Sequence, residues 1–221
     1  MDHPERVPDA VARRLPWYCR ILRELETEGL LRVSSQALGD RMGLTASQIR
    51  QDINYFGGFG QQGYGYHVPK LRQCIEQILG IDRAHRMAIA GVGNIGSAIA
   101  RYPDFRRDGF EIAALFDAST DRIGNIVEGV KILSVDLMEA WLRENPVHIF
   151  VLATPADCAQ EIADAATRAG VRSIWNFTPV DLTVPDTIEV SNMHLGDSLM
   201  ALTFRLHERE IHSRSEKWIK E

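Results

Sequence analysis

An α/β fold in two unlike halves is predicted from three observations. Gly91, Gly93 and Gly96 separate an apolar, strand-like run over 87–90 from an apolar, helix-like run that reaches Ala100. Strand and helix periods then alternate to about residue 190, the pattern that builds a parallel sheet. Ahead of them, residues 34–56 hold two short capped helices, and a stretch rich in glycine and aromatics follows over 57–66. Together these predict an N-terminal winged helix, a Rossmann-type doubly wound parallel sheet and a separate C-terminal helix. The expected bounds are 1–82, 83–191 and 192–221.

The chain has 221 residues, 45% hydrophobic and 25% charged, enough for two compact domains with separate cores. It has no run of about 18 apolar residues, and its first residues lack the basic-then-apolar order of a signal peptide. A cytoplasmic protein with no membrane partner is expected. Cys19, Cys74 and Cys158 are an odd number without a C-x-x-C spacing, so free buried thiols are expected rather than disulfides or a thiolate zinc site. The seven histidines show no metal-ligand spacing, and no metal is expected. Residues 1–86 carry 12 Lys and Arg against 10 Asp and Glu, net +2, and the remainder 13 against 20, net −7. Different partners for the two halves are implied.

A helix starts at Pro8-Asp9, and Leu15, Tyr18, Ile21, Leu22 and Leu25 repeat at three and four up to Gly29. Pro16 is expected to kink or restart it. Ser34 and Ser35 cap a short helix over 36–41, which stops at Gly43. Thr45 with Gln48 three residues later is a capping box, and the helix it opens turns Ile49, Ile53 and Phe56 inward. The opposite face carries Ser47, Arg50, Gln51 and Asn54, with Gln48 at the helix start. Such side chains reach base edges or phosphates in a major groove. A small helical hairpin with a polar surface would carry the same residues.

Residues 57–66 look like a β-hairpin loop, which behind a recognition helix is a wing able to follow the backbone or enter the minor groove. Gln61, Gln62 and Tyr64 are its candidate DNA contacts, and Arg14 is a candidate phosphate contact. Pro69 and then Leu71, Cys74, Ile75, Ile78 and Leu79 describe one more helix, to Gly80. Residues 83–86 are expected to link it to a second fold beginning at Met87.

A pyrophosphate lies against bare backbone at a helix N-terminus, where unpaired N–H groups and the helix dipole favour negative charge. Gly91 would make the turn, Gly93 would let phosphates approach and Gly96 would let the helix pack on the strand. Residues Gly91, Val92, Gly93, Asn94, Ile95 and Gly96 are therefore candidate cofactor contacts. Asp117 ends the next strand about 20 residues on, as a ribose acceptor should. It would repel a 2′-phosphate, so NADH and NAD+ are favoured over their phosphorylated counterparts.

Residues 130–133 read as a strand and Ser134 as a helix cap. The most apolar strand, 147–153, is expected at the centre of the sheet. Thr154 and Pro155 follow it, where they would hold a nicotinamide; a plain helix cap at Thr154 or Asp157 is an equal reading. A helix over 156–169, a strand over 173–177 and a last strand over 187–190 complete the alternation. From Met193 the chain reads as helix, with Leu195, Leu199, Leu202, Phe204, Leu206, Ile211 and Trp218 on several faces. Those side chains call for a partner subunit.

The motifs 14–20, 33–35, 47–52, 55–57, 63–66, 91–96, 116–117, 154–156 and 176–179 resemble those of the Rex family of redox-sensing transcriptional repressors, and the likeness spans nearly the whole chain. The resemblance implies a homodimer whose terminal helices are domain-swapped, each lying between the two domains of the partner. It also implies that NADH binding turns the winged helices so that they no longer fit one palindromic operator DNA. Arg20 matches a family arginine and Tyr102 a family tyrosine near the nicotinamide. His194, with Asp197 a turn further on, stands where some members have an aspartate at the interdomain contact.

The competing reading is an NAD-dependent dehydrogenase. Such an enzyme needs a general acid or base within reach of the nicotinamide. His148, inside an apolar strand, is expected to be a core residue, and the lysines are Lys70, Lys131, Lys217 and Lys220. No catalytic residue is expected.

Overall fold

The computed structural model describes residues 7–57, 60–61 and 64–218. The chain divides between Ala84 and His85 into two compact units.

In the first unit, α1 (Asp9–Ala12) ends just before α2 (Leu15–Thr27), where Pro16 occupies the first turn. A proline there lacks only an N–H that would be unpaired anyway, so it restarts the helix rather than bending it. After β1 (Arg32–Val33), Ser34 Oγ accepts the Ala37 N–H and caps α3 (Ser35–Met42). Helix α4 (Ala46–Asn54) opens on the expected capping box, with Thr45 Oγ1 accepting the Gln48 N–H at 3.1 Å and Gln48 Oε1 accepting the Thr45 N–H at 3.3 Å. Strands β2 (Gly60–Gln61) and β3 (Gly65–His67) then form an antiparallel hairpin. β1 pairs with β3 to give a three-stranded sheet in the order β1-β3-β2. Helix α5 (Val68–Leu79) closes the unit over a core of Tyr18, Leu22, Leu38, Met42, Ile49, Ile53, Leu71 and Ile75. Helices α2 and α5 are also tied by ions: Glu76 accepts from Arg23 at 3.0 Å and Arg72 at 2.6 Å, and Arg72 reaches Glu26 at 2.7 Å.

The first strand of the second unit begins two residues earlier than expected. β4 (His85–Ala90) already pairs at His85 and Arg86 with β5, so those residues belong to the sheet rather than to a linker. Then come α6 (Asn94–Ala100), α7 (Pro103–Arg107), β5 (Phe110–Asp117), β6 (Ile126–Val127), β7 (Val130–Ser134), α8 (Met138–Glu144), β8 (Ile149–Leu152), α9 (Ala156–Arg168), β9 (Ser173–Asn176), β10 (Glu189–Asn192) and α10 (Leu195–Trp218). The sheet order is β10-β9-β8-β4-β5-β7-β6, parallel except for β6. The chain runs outward from β4 to β7 and returns on the other side at β8, which places the topological switch between β4 and β8. Phe150, Val151 and Leu152 on β8 are fully buried, as an inner strand of a parallel sheet requires. Helices α8 and α9 cover one face, packing Leu142, Ala159 and Ala163 on Phe150, and α6 and α7 cover the other, with Ile99 and Phe105.

Three expectations are corrected. His148 is exposed and precedes β8, its Nδ1 accepting the Arg86 N–H at 3.0 Å, because the strand starts at Ile149, two residues later than expected; it is not a core residue. The last strand is Glu189–Asn192, shifted by two residues, since it pairs with β9 from Ser173 onward. The terminal helix starts at Leu195 rather than Met193. Among the described residues no helix is long and apolar enough to cross a membrane.

Candidate DNA-reading and dinucleotide-binding sites

The capping box fixes where α4 begins, and Ile49 and Ile53 turn one face of it into the core of the first unit. Ser47, Gln48, Arg50, Gln51 and Asn54 are all exposed. Arg50 Nη1 donates to Ser35 Oγ at 3.1 Å, which holds this cation beside α3. Gln48 is partly engaged, since its Oε1 completes the cap, leaving its amide N–H groups as donors. At the hairpin, Tyr64 is 69% exposed. Arg32, which sequence reasoning passed over, donates to the Tyr64 carbonyl at 3.2 Å and lies 6.0 Å from its ring centroid. This cation–aromatic pair supplies the positive charge that the glutamines of the loop lack. Gln62 and the side chain of Gln61 lie outside the described residues.

Arg14 has a partner inside the first unit that the sequence does not show. Its Nε and Nη2 donate to the two oxygens of Asp52 at 2.8 and 2.7 Å, and the Tyr18 hydroxyl donates to the same carboxylate at 2.9 Å. Asp52 is on α4 and only 3% exposed. Hydrogen bonding to Asp52 raises the pKa of Arg14, and burial, reinforced by the bond to Asp52, pushes the Tyr18 phenol far above its usual range. The guanidinium is thus held by a buried carboxylate within the unit, with its own side chain 27% exposed. The i, i+38 spacing leaves no periodic trace that could have shown this.

In the second unit the glycines have three distinct geometries. Gly91 has φ +89°, a left-handed conformation that a side chain rarely adopts, and a Cβ there would also run into the Ala153 carbonyl. A Cβ on Gly96 would collide with the Gly91 carbonyl, so only glycine allows α6 to sit this close to the turn. Gly93 has nothing within 4 Å of its Cβ position and faces open space. Asn94 and Ile95, at the start of α6, are exposed.

Asp117 is 5% exposed, and its oxygens accept the Val92 N–H at 2.7 Å and the Ser119 N–H at 2.8 Å. Arg122 Nη1 lies 3.4 Å from both oxygens and was not foreseen. The carboxylate therefore braces the glycine turn. An ionised carboxylate offers about four lone-pair sites, and here each oxygen takes one backbone N–H and one long Arg122 contact at 3.4 Å. Across the switch, Thr154 Oγ1 is buried and has no hydrogen-bond partner among the described residues, whereas Pro155 is exposed. An orphaned hydroxyl beside a glycine turn, with open space at Gly93 and a buried carboxylate, fits the polar groups of a dinucleotide.

Tyr102 is 51% exposed and packs on Phe105 with centroids 4.7 Å apart. The expected interdomain residues lie in different units: Arg20 is exposed in the first, and in the second His194 sits 3.7 Å from Asp181 and 3.8 Å from Asp197. Leu195, Leu199, Met200, Phe204 and Ile211 of α10 are between 49% and 66% exposed. The side chain of Trp218 lies outside the described residues.

Family matches fall in both units. Residues 6–54 match the family described as putative DNA-binding protein N-terminus, and residues 82–180 match the CoA binding domain family. The redox-sensing transcriptional repressor Rex of Clostridium beijerinckii is 48% identical over 210 residues, 95% of this chain and 100% of the relative. That of Thermoanaerobacter pseudethanolicus is 44% identical, covering 96% and 94%. Among solved structures, RSP in complex with β-NAD+ and operator DNA has a TM-score of 0.88 at 44% identity, covering 96% of this chain and 98% of the other. RSP in complex with β-NADH has a TM-score of 0.85 at 42% identity, covering 95% and 99%. With identity at this level sustained over nearly the full length of both partners, the chain belongs to the Rex family of redox-sensing transcriptional repressors.

Proposed function

We propose that this protein represses transcription by binding palindromic operator DNA as a homodimer in the cytoplasm, and that NADH binding releases it. The observation that carries the reading is the presence, in one chain, of an exposed polar recognition face on α4 and a glycine turn closed by the buried Asp117. Residues 1–82 read DNA, residues 83–191 bind the dinucleotide and residues 192–221 join the protomers. Ser47, Arg50, Gln51 and Asn54 meet base edges and phosphates, Gln48, Gln61, Gln62 and Tyr64 flank them, and two copies at fixed separation meet two half-sites.

The backbone from Gly91 to Gly96 receives the pyrophosphate, Asp117 the adenosine ribose, and Thr154, Pro155 and Tyr102 the nicotinamide end. Asp117 also disfavours phosphorylated ribose, which argues against CoA and NADPH as the natural ligand. The nicotinamide ring supplies the redox signal, since the oxidised ring is cationic and the reduced ring neutral. An apolar pocket favours the neutral form, because burying an uncompensated charge is costly. Arg20, His194 and Asp197 are the residues through which that state reaches the recognition helices.

The protein is not an enzyme in this reading. The close relatives are named transcriptional repressors, and His148 lies at the amino end of β8, opposite the carboxyl ends where the cofactor site is formed. A gel shift with a palindromic duplex, with and without NADH, together with a search for NADH turnover, tests this. NADH-sensitive binding without turnover is expected; turnover without DNA binding would replace the repressor with a dehydrogenase.

A further inference from the structure

We infer that Arg14, Tyr18 and Asp52 form a positioning device that fixes the rotation of α4 and thereby decides which side chains face the bases. The inference rests on the DNA-binding reading above. Asp52 projects from the inner side of α4, 3% exposed, and is held by Arg14 through both carboxylate oxygens and by the fully buried Tyr18 hydroxyl. Arg14 immediately precedes α2 and Tyr18 lies on it, so the clamp joins α2 to α4.

Apolar contacts such as those of Ile49 and Ile53 are non-directional and tolerate small rotations. A bidentate guanidinium–carboxylate pair does not, because both N–H groups must stay in line with both oxygens. Two residues along an α-helix turn it by about 200°, so Arg50 points almost directly away from Asp52. A side-chain tip about 6 Å from the helix axis moves roughly 2 Å when the helix rotates by about 20°. That displacement exceeds the ~0.5 Å window in which a base-edge hydrogen bond forms. A buried ion pair adds little net stability over a well-packed apolar pair, and its contribution here is geometric. Arg14, Tyr18 and Asp52 are thus positioning residues for the DNA contacts of the exposed face of α4.

The test uses the full chain, a palindromic duplex enriched from a random pool by the wild-type protein, and a scrambled duplex of equal length and composition. The double variant Arg14→Met/Asp52→Leu replaces the pair with apolar side chains, and Tyr18→Phe removes only the hydroxyl. The double variant is expected to stay folded and melt only a few degrees lower than wild type, because the buried Tyr18 hydroxyl loses its acceptor, to bind NADH with unchanged affinity and to bind the scrambled duplex within about threefold of wild type. On the selected duplex it should lose about 30-fold or more, with Tyr18→Phe losing about three- to tenfold. A folded double variant that keeps the wild-type ratio of selected to scrambled binding overturns the inference. So does an unfolded one, which would make the pair a stability element. If the wild-type protein enriches no duplex, the DNA-binding reading fails and the inference falls with it.

Discussion

Replacing Gly93 with alanine is expected to abolish the response to NADH while leaving the fold and the DNA-binding unit intact. The backbone at Gly93 has φ −72° and ψ −156°, which alanine adopts readily, and the new methyl group meets nothing within 4 Å. Folded stability should stay within about 0.5 kcal/mol of wild type. The methyl group occupies the open space through which phosphates would reach the N–H groups at the start of α6. Losing one or two charge-assisted hydrogen bonds, at roughly 1.5–3 kcal/mol each, gives about 3 kcal/mol. That corresponds to a loss of about 150-fold in affinity. Gly96→Ala is the contrasting variant, because its methyl group would strike the Gly91 carbonyl and the unit itself should lose about 1–3 kcal/mol. The assay is NADH fluorescence titration of both variants beside their thermal melts. A Gly93→Ala protein with wild-type melting and NADH affinity within threefold of wild type would refute the reasoning.

Asp117→Ala removes the acceptor of the Val92 N–H and the proposed ribose contact. NADH should bind about 10- to 150-fold more weakly while operator binding persists; an unchanged titration places the ribose elsewhere. Gln51→Lys should shift preference from an A·T to a G·C pair by about 1–3 kcal/mol, read by competition between the two operators. Ending the chain at Asn192 is expected to yield monomers in sedimentation, since it removes the exposed apolar side chains of α10; a dimer would contradict the proposed role of that helix. Burial raises the Glu76 pKa, but hydrogen bonds from Arg23 and Arg72 outweigh it and hold the carboxyl below its usual range. Its contribution is therefore complete above the unfolded value of about 4.3 and is lost as pH falls through the lower folded value. Glu76→Gln should melt lower at neutral pH and flatten the acid limb of stability.

The features readable in the sequence are those fixed by neighbours along the chain. The Thr45–Gln48 capping box, the restart at Pro16 and the separate geometries of Gly91, Gly93 and Gly96 each follow from a few residues whose backbone requirements are local. The misses share the opposite property. Strand β1 has two residues and exists through its pairing with β3, and β6 likewise exists through β7. The pairing of Arg14 with Asp52 is not legible in the sequence because the two lie 38 residues apart, a spacing that no periodic pattern registers. Arg32 and Arg122 were overlooked because their neighbours Tyr64 and Asp117 are defined by loop geometry, which periodicity does not encode. His148 was misjudged by a two-residue error in the start of an apolar strand.

The central claim is that the DNA-reading face and the dinucleotide site act against one another. It is tested most directly by titrating NADH into the full chain with and without a saturating palindromic duplex, and the duplex with and without saturating NADH. Linkage requires that each ligand weaken the other by the same factor, and a coupling of about 1–3 kcal/mol, or roughly 5- to 150-fold, is predicted. Equal NADH affinity in the presence and absence of a duplex that the protein demonstrably binds would contradict the account.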